Sequence, residues 1–94
     1  MTTLVWSASF VRAFRRIGRR DPQLTSKAKK TLELLSKDSS HPALRTHKLK
    51  GKLAGSWACS VDYDTRIVFD FVQDLNSQEE EILLLTIGSH DEVY

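Results

Sequence analysis

The spacing of apolar residues changes near the middle of this chain, and that change restricts the fold more than any other feature. Up to about residue 36, apolar residues recur at intervals of three and four, as on one helix face; after residue 56 they alternate with polar residues, as in a strand. Helices followed by strands predict an α+β fold, with the helices on one face of a small, mainly antiparallel, twisted sheet. The 94 residues suffice for a single domain, 1–94, with a modest core.

The first half predicts two helices that form an antiparallel hairpin. Ser7 is a suitable N-cap for the first helix, and Gly18 is expected to help it stop. Asp21 and Pro22 start the second helix, as an N-cap and a first-turn proline, and the short connection predicts antiparallel packing. The residues expected on the buried faces are Phe10, Phe14 and Ile17 in the first helix and Leu24, Ala28, Leu32 and Leu35 in the second.

The second half predicts a meander of three strands with a turn between each pair. The strands are expected at 57–62, 66–73 and 81–87, the first turn at 63–65, and the second at 74–79. Gly88 is expected to end the last strand, and the short apolar run from Leu4 to Trp6 to add a strand at one edge. Cys59 falls at a core-facing position and is interpreted as a small buried hydrophobe.

The charges are distributed unevenly along the chain. Residues 1–55 hold thirteen Lys or Arg against three acids, a net charge of +10, whereas residues 56–94 hold one against nine, a net charge of −8. Such asymmetry indicates a basic face that meets a polyanion, although a solvated helical hairpin would also produce it. The helical cations expected to contact RNA are Arg12, Arg15, Arg16, Arg19, Lys27, Lys29 and Lys30.

Several classes of protein are excluded by what the sequence lacks. It has no apolar run of about 18 residues and no basic segment before its short N-terminal apolar run, so neither a membrane span nor a secretory signal is expected. A single cysteine fits a reducing cytoplasm. The chain has no P-loop, no dinucleotide-binding glycine motif and no zinc-ligand spacing, so no cofactor or metal is expected.

Two of the three histidines occupy positions where strand ends can converge. His47 opens a segment just ahead of the meander, and His90 follows its last strand, whereas His41 lies in a loop beside Pro42 without such an argument. RNA cleavage by the 2′-hydroxyl needs a base, an acid and cations for the phosphorane. His47 and His90 are expected to divide the two proton-transfer roles, with His47 assigned as the base and His90 as the acid, and the reverse order also open. The other groups expected there are Asp64 to orient a histidine or handle a proton, Tyr94 to stack on a base or bond a phosphate, and the cations Arg66, Lys48, Lys50 and Lys52.

Three motifs together resemble a known family. They are His47-x-Leu49-x-Gly51-x-x-x-Gly55-x-Trp57, then Asp64-x-Arg66-Ile67-Val68-Phe69, then Leu85-x-Ile87-Gly88-x-His90-Asp91-Glu92-Val93-Tyr94. With the basic hairpin ahead of them, they make the whole chain similar to the RelE/ParE toxin superfamily, and most similar to its YafQ-like mRNA interferases. The C-terminal motif is the most specific of the three.

The resemblance implies a helical hairpin packed on an antiparallel sheet, mRNA cleavage in the ribosomal decoding site, and an antitoxin that wraps the toxin in a hetero-oligomer. It implies site residues at His47, Asp64, His90 and Tyr94. Two positions depart from the family pattern: Ser60 stands where those toxins can carry another histidine, and Thr65 stands where a tryptophan can follow the aspartate.

Two other functions remain open at the level of sequence. A ParE-like chain would inhibit DNA gyrase by binding, without catalytic histidines, and the retention of His47 and His90 argues against this. A catalytically inactive module would use the basic hairpin only to dock an acidic antitoxin.

Overall fold

A computed structural model describes residues 1–93, except for the side chain of Glu92. Its strands and helices follow one another along the chain as β1 (Thr3–Trp6), α1 (Ala8–Arg20), α2 (Pro22–Lys37), β2 (His47–Lys48), β3 (Trp57–Ser60), β4 (Thr65–Gln73), β5 (Glu80–Ser89) and α3 (His90–Val93). Short 3₁₀ turns at Pro42–Leu44 and Gly51–Leu53 flank β2. None of the described helices has both the length and the apolar character needed to cross a bilayer.

The strands form one five-stranded sheet in the order β1-β5-β4-β3-β2. All neighbouring pairs are antiparallel except β1 with β5, which are parallel. The predicted α+β class, the mainly antiparallel sheet and the edge position of the N-terminal strand are therefore confirmed.

Both predicted helix caps are present. The Ser7 hydroxyl accepts the N–H of Phe10 at 3.1 Å, and the Asp21 carboxylate accepts the N–H of Leu24 at 3.1 Å. Gly18 lies near the end of α1, as expected, and the helix continues for two further residues, to Arg20. A Cβ at Gly18 would lie 3.3 Å from the hydroxyl oxygen of Thr25, so glycine permits close approach of the two helices there.

The main core lies between the two long helices and one face of the sheet. Phe10, Leu35, Phe69 and Leu84 are fully buried in it, and the other predicted helix-face residues are buried or packed against it, except Leu24, which is half-buried near the start of α2 and lies outside the cluster. Cys59 is also fully buried there, as predicted. Burial raises the pKa of its thiol to about 12, although Arg66 nearby acts in the opposite direction.

The opposite face of the sheet, called here the open face, carries a smaller apolar cluster. Leu49, Ala58, Val68 and Val93 are buried in it, with Leu85 packed alongside. Because Val93 belongs to α3, the C-terminal helix covers part of a face that the long helices leave uncovered.

The second half differs from its prediction in several respects. The strand expected at 57–62 ends at Ser60, because residues 61–64 form the turn. Gly88 does not end the last strand, since β5 runs to Ser89 and Gly88 pairs with Arg66. The reason is that pairing with β4 continues to Thr65, which itself begins β4 instead of closing the turn. In addition, His47–Lys48 forms a fifth strand against β3, and a short helix follows β5.

We expect Phe69→Ala to lower the free energy of unfolding by about 3–5 kcal/mol, because it leaves a cavity at the centre of the core. The matched control is Leu75→Ala, whose side chain is 91% exposed in the β4–β5 loop and which should change stability by less than about 0.5 kcal/mol. Urea unfolding of the two variants and the parent measures both effects. Equal destabilisation by the two substitutions would contradict this packing.

Candidate active site

The turn between β3 and β4 is held by a network of hydrogen bonds. The Asp62 carboxylate accepts the N–H groups of Asp64 at 3.1 Å and of Thr65 at 2.8 Å. Arg66 Nη1 donates to the carbonyls of Asp62 at 2.9 Å, Tyr63 at 3.3 Å and Thr65 at 3.2 Å. Partial burial raises the pKa of Asp62, but the N–H bonds from Thr65 and Asp64 outweigh it and leave this pKa below its ordinary value.

His90 is attached to this turn through the backbone. Its N–H donates to the carbonyl of Asp64 at 2.7 Å, so α3 begins directly on the turn. The imidazole is 52% exposed, and its Nδ1 lies 3.9 Å from the carboxylate of the fully exposed Asp91. An ion pair at that distance and exposure adds little to the orientation of the ring. The turn therefore fixes the backbone of His90 through Asp64.

His47 faces the same side of the sheet as the open-face cluster. It is directly opposite Ala58 on β3, which is opposite Val68 on β4, and opposed residues of antiparallel strands share a face. Its Nδ1 lies 2.9 Å from the carbonyl oxygen of Arg45. Since a carbonyl only accepts, Nδ1 carries the proton, and in the neutral ring Nε2 has the lone pair that a base requires.

Arg66 lies in the neighbouring row of the open face. It is opposite Ser60 on β3 and Gly88 on β5. Strand spacing places this row about 7 Å along the sheet from the row of His47, and β2 lies about 10 Å across from β4. Long side chains span such separations, so His47 and Arg66 border the same surface.

A cleft of about 760 Å³ lies beside β2 on this side of the molecule. It is lined by residues 47–53 and by Val93, and so brings His47 together with the exposed Lys50 and Lys52. Lys48 is directly opposite Trp57, and its ammonium lies 5.7 Å from the centre of that ring, on the face of the main core and not beside His47.

The helix α3 connects the turn to the cleft. Its first residue, His90, is bonded to the turn, and Val93 lines the cleft of His47. Four residues at about 1.5 Å per residue make this connection roughly one helical turn long. Of the predicted site residues, His90, Asp64 and Arg66 form one group at the turn, and His47 forms a second group with Lys50 and Lys52 in the cleft.

Sequence reasoning missed Asp62, whose carboxylate holds the turn, and the bond from Asp64 to His90 is made by the Asp64 backbone carbonyl. The signal that could have identified Asp62 is its position in the turn, because an aspartate often accepts the N–H groups two and three residues further along the chain. His41 was omitted, and its Nδ1 accepts the N–H of Ala43 as a local loop cap. Tyr94 lies outside the described residues.

The seven predicted helical cations are all exposed, as a surface for a polyanion requires; they are Arg12, Arg15, Arg16, Arg19, Lys27, Lys29 and Lys30. Within residues 1–93, no three His, Cys, Asp or Glu side chains lie where they would hold a metal ion.

Comparison with known protein families gives the chain its family. The model of the bacterial toxin of a type II toxin-antitoxin system, YafQ, matches residues 2–94. The chain belongs to the YafQ toxin family. The resemblance found in the three sequence motifs is therefore confirmed over nearly the whole length of this toxin. Comparison with curated proteins finds no match.

Solved structures agree with this assignment. The toxin is similar to YafQ from Escherichia coli BL21(DE3), with a TM-score of 0.76 and 14% identity over 100% of this chain and 99% of that one. It is also similar to a YoeB/ParE toxin from Agrobacterium tumefaciens, with a TM-score of 0.75 and 19% identity over 95% and 99% of the two chains. A copper-bound mutant toxin from Helicobacter pylori is 28% identical, with full coverage of both chains and a TM-score of 0.69. The fold is that of these toxins.

We expect Asp62→Asn to lower the free energy of unfolding at pH 7, because the amide holds the turn without the charge that the N–H groups stabilise. The folded-state pKa of Asp62 is depressed, so its contribution is complete above the ordinary value of 3.8 and is lost as the pH falls through the folded value. Urea unfolding of parent and variant between pH 7 and pH 2 should therefore show the difference shrinking below about pH 4. A difference that grows on acidification would contradict this role.

Proposed function

We propose that this YafQ-family toxin is a ribosome-dependent endoribonuclease that cleaves mRNA in the A site. One observation supports this above the others: His47 and His90 border the same open face, at the two ends of α3, beside Arg66 and the cleft lysines. An acid and a base on opposite sides of a cationic surface are what in-line transfer of a phosphodiester requires.

In the proposed reaction, Nε2 of His47 removes the proton from the 2′-hydroxyl of the nucleotide before the scissile bond. The 2′-oxygen attacks phosphorus, the bond from phosphorus to the 5′-oxygen breaks, and His90 donates a proton to that leaving oxygen. The products are a 2′,3′-cyclic phosphate and a 5′-hydroxyl, and no metal or cofactor takes part.

The remaining site residues act on charge and position. Arg66 and the cleft lysines, Lys50 and Lys52, stabilise the additional negative charge on the phosphorane. Asp64 positions His90 through the bond between its carbonyl and the N–H of His90. Tyr94 is proposed from the family resemblance alone, as the closing aromatic that contacts a base or a phosphate.

The exposed helical cations are proposed to dock the toxin on ribosomal RNA in the cytoplasm. Seven cations on one hairpin provide the phosphate-neutralising surface that such binding uses, and that binding weakens with added salt.

An antitoxin is the second proposed partner. The family is that of a toxin-antitoxin system, and a structural neighbour with 14% identity and a TM-score of 0.76 was solved as the Escherichia coli DinJ-YafQ complex. We propose a hetero-oligomer in which the antitoxin wraps the toxin and blocks its site.

We expect His47→Ala and His90→Ala each to reduce cleavage of a defined mRNA on translating ribosomes by about 10²–10⁴-fold, because each removes one proton-transfer group. The matched control is His41→Asn, which changes a histidine outside the site and keeps a residue able to cap the loop. Single-turnover cleavage rates measure all three. Undiminished cleavage by His90→Ala would exclude the mechanism, and supercoiling inhibition without cleavage by the parent would favour a gyrase poison.

We expect reversal of four helical charges, Arg15→Glu, Arg16→Glu, Lys29→Glu and Lys30→Glu together, to weaken ribosome association and to reduce its dependence on salt. Fewer cations neutralise fewer phosphates, so fewer counterions are released. Sedimentation with ribosomes at several salt concentrations measures the slope, and circular dichroism confirms that the variant folds. A slope equal to that of the parent would contradict the proposed docking surface.

A further inference from the structure

Tyr63 is the most exposed large hydrophobic side chain of the described residues, at 97%, and it lies at the tip of the β3–β4 turn. At that exposure it buries almost no apolar area and so adds little to the stability of the fold. A tight turn does not need an aromatic residue, because glycine, asparagine, aspartate and serine satisfy its backbone. Neither packing nor turn geometry accounts for a tyrosine at this position.

The backbone around Tyr63 is fixed on both sides. The Tyr63 carbonyl accepts a hydrogen bond from Arg66 Nη1 at 3.3 Å. The Asp62 carboxylate accepts the N–H groups of Asp64 and Thr65. The Asp64 carbonyl accepts the N–H of His90 at 2.7 Å. The ring is therefore presented from a rigid support, with only two side-chain torsions left to order on binding. Tyr63 is also the residue directly before Asp64, whose carbonyl bonds the N–H of His90.

We propose that Tyr63 is a substrate-binding residue whose ring stacks on a nucleobase of the mRNA beside the scissile phosphate; this inference rests on the proposed endoribonuclease function. A flat aromatic face in solvent matches the faces of all four bases, and such stacking tolerates any sequence.

The charges of the turn favour a base over other partners. The carboxylates of Asp62 and Asp64 flank Tyr63 and repel both RNA phosphates and an acidic protein, whereas a nucleobase is neutral. Arg66 begins two residues beyond Asp64 and supplies the positive charge for the adjacent phosphate. In this arrangement Tyr63 contacts the base at the tip of the turn, and Arg66 contacts the phosphate at the start of β4.

The test measures binding without cleavage. Ribosomes carrying an mRNA with 2′-O-methyl groups at the A-site codon cannot be cut, because the attacking hydroxyl is blocked. We expect Tyr63→Ala to weaken toxin binding to these ribosomes by about 5- to 100-fold, and Tyr63→Phe to bind like the parent, because it keeps the stacking ring. Leu75→Ala is the matched control, since Leu75 is 91% exposed in the loop at the opposite end of β4.

A parallel measurement on ribosomes with an empty A site identifies the source of the base. The inference predicts that the loss in Tyr63→Ala appears only when mRNA occupies the site. The inference is overturned if Tyr63→Ala binds with an affinity within twofold of the parent, or if it loses the same affinity on ribosomes with an empty A site. It is also overturned if Tyr63→Phe loses as much affinity as Tyr63→Ala, or if the parent does not bind.

Cleavage of unmodified mRNA by the same proteins separates this inference from the proposed activity. With Tyr63→Ala, the half-saturating toxin concentration should rise while the maximal rate at saturation stays within about twofold. A parent that binds in a Tyr63-dependent manner without cleaving would refute the nuclease and retain the stacking contact. If the parent cleaves and Tyr63→Ala cleaves at the same rate at every toxin concentration, the stacking contact is refuted and the nuclease activity is retained.

Discussion

The antiparallel pairing of β4 with β5 determines the position of both the core and the candidate site. A bulge interrupts this pairing, since Val68 is opposite Thr86 while Phe69 is opposite Leu84, so β5 carries one additional residue. Leu84 and Ile87 can therefore both enter the main core, although their spacing would place them on opposite faces of a regular strand. The additional residue, Leu85, packs against the open-face cluster, and its carbonyl accepts the Ser9 hydroxyl at 2.6 Å. The bulge at Leu85 therefore contacts α1 through its carbonyl and the open-face cluster through its side chain, and it allows Leu84 and Ile87 to share the main core.

The end of the same pairing brings together the residues of the candidate site at the turn. Thr65 pairs with Ser89, which brings the start of β4 beside the start of α3 and allows the N–H of His90 to reach the carbonyl of Asp64. The acidic turn and the cations of the open face then lie next to each other. Asp62 is occupied by backbone N–H groups, and Arg66 Nη1 is occupied by turn carbonyls, so each charge also supports the turn.

Much of the fold was predictable because its signals are local. Ser7 and Asp21 cap their helices as expected, and the alternation that begins at Trp57 identified a strand with a buried Cys59. Within the site, residue types and positions identified His47, His90 and Arg66. Their division into two groups was not predictable, because it depends on the register between β2 and β3 and on where α3 lies, and neither is encoded by neighbours in sequence.

By itself, the sequence determined the helical hairpin, the alternating strands, the basic first half and the family, because capping, periodicity, charge and motifs all act within a few residues. Only the tertiary structure decided that Gly88 continues a strand, that Gly18 lies at a close helix contact and that β1 runs parallel to β5. It also decided that the backbone carbonyl of Asp64 accepts the N–H of His90. These outcomes arise from contacts between residues far apart in the chain, whose geometry exists only once the sheet has formed.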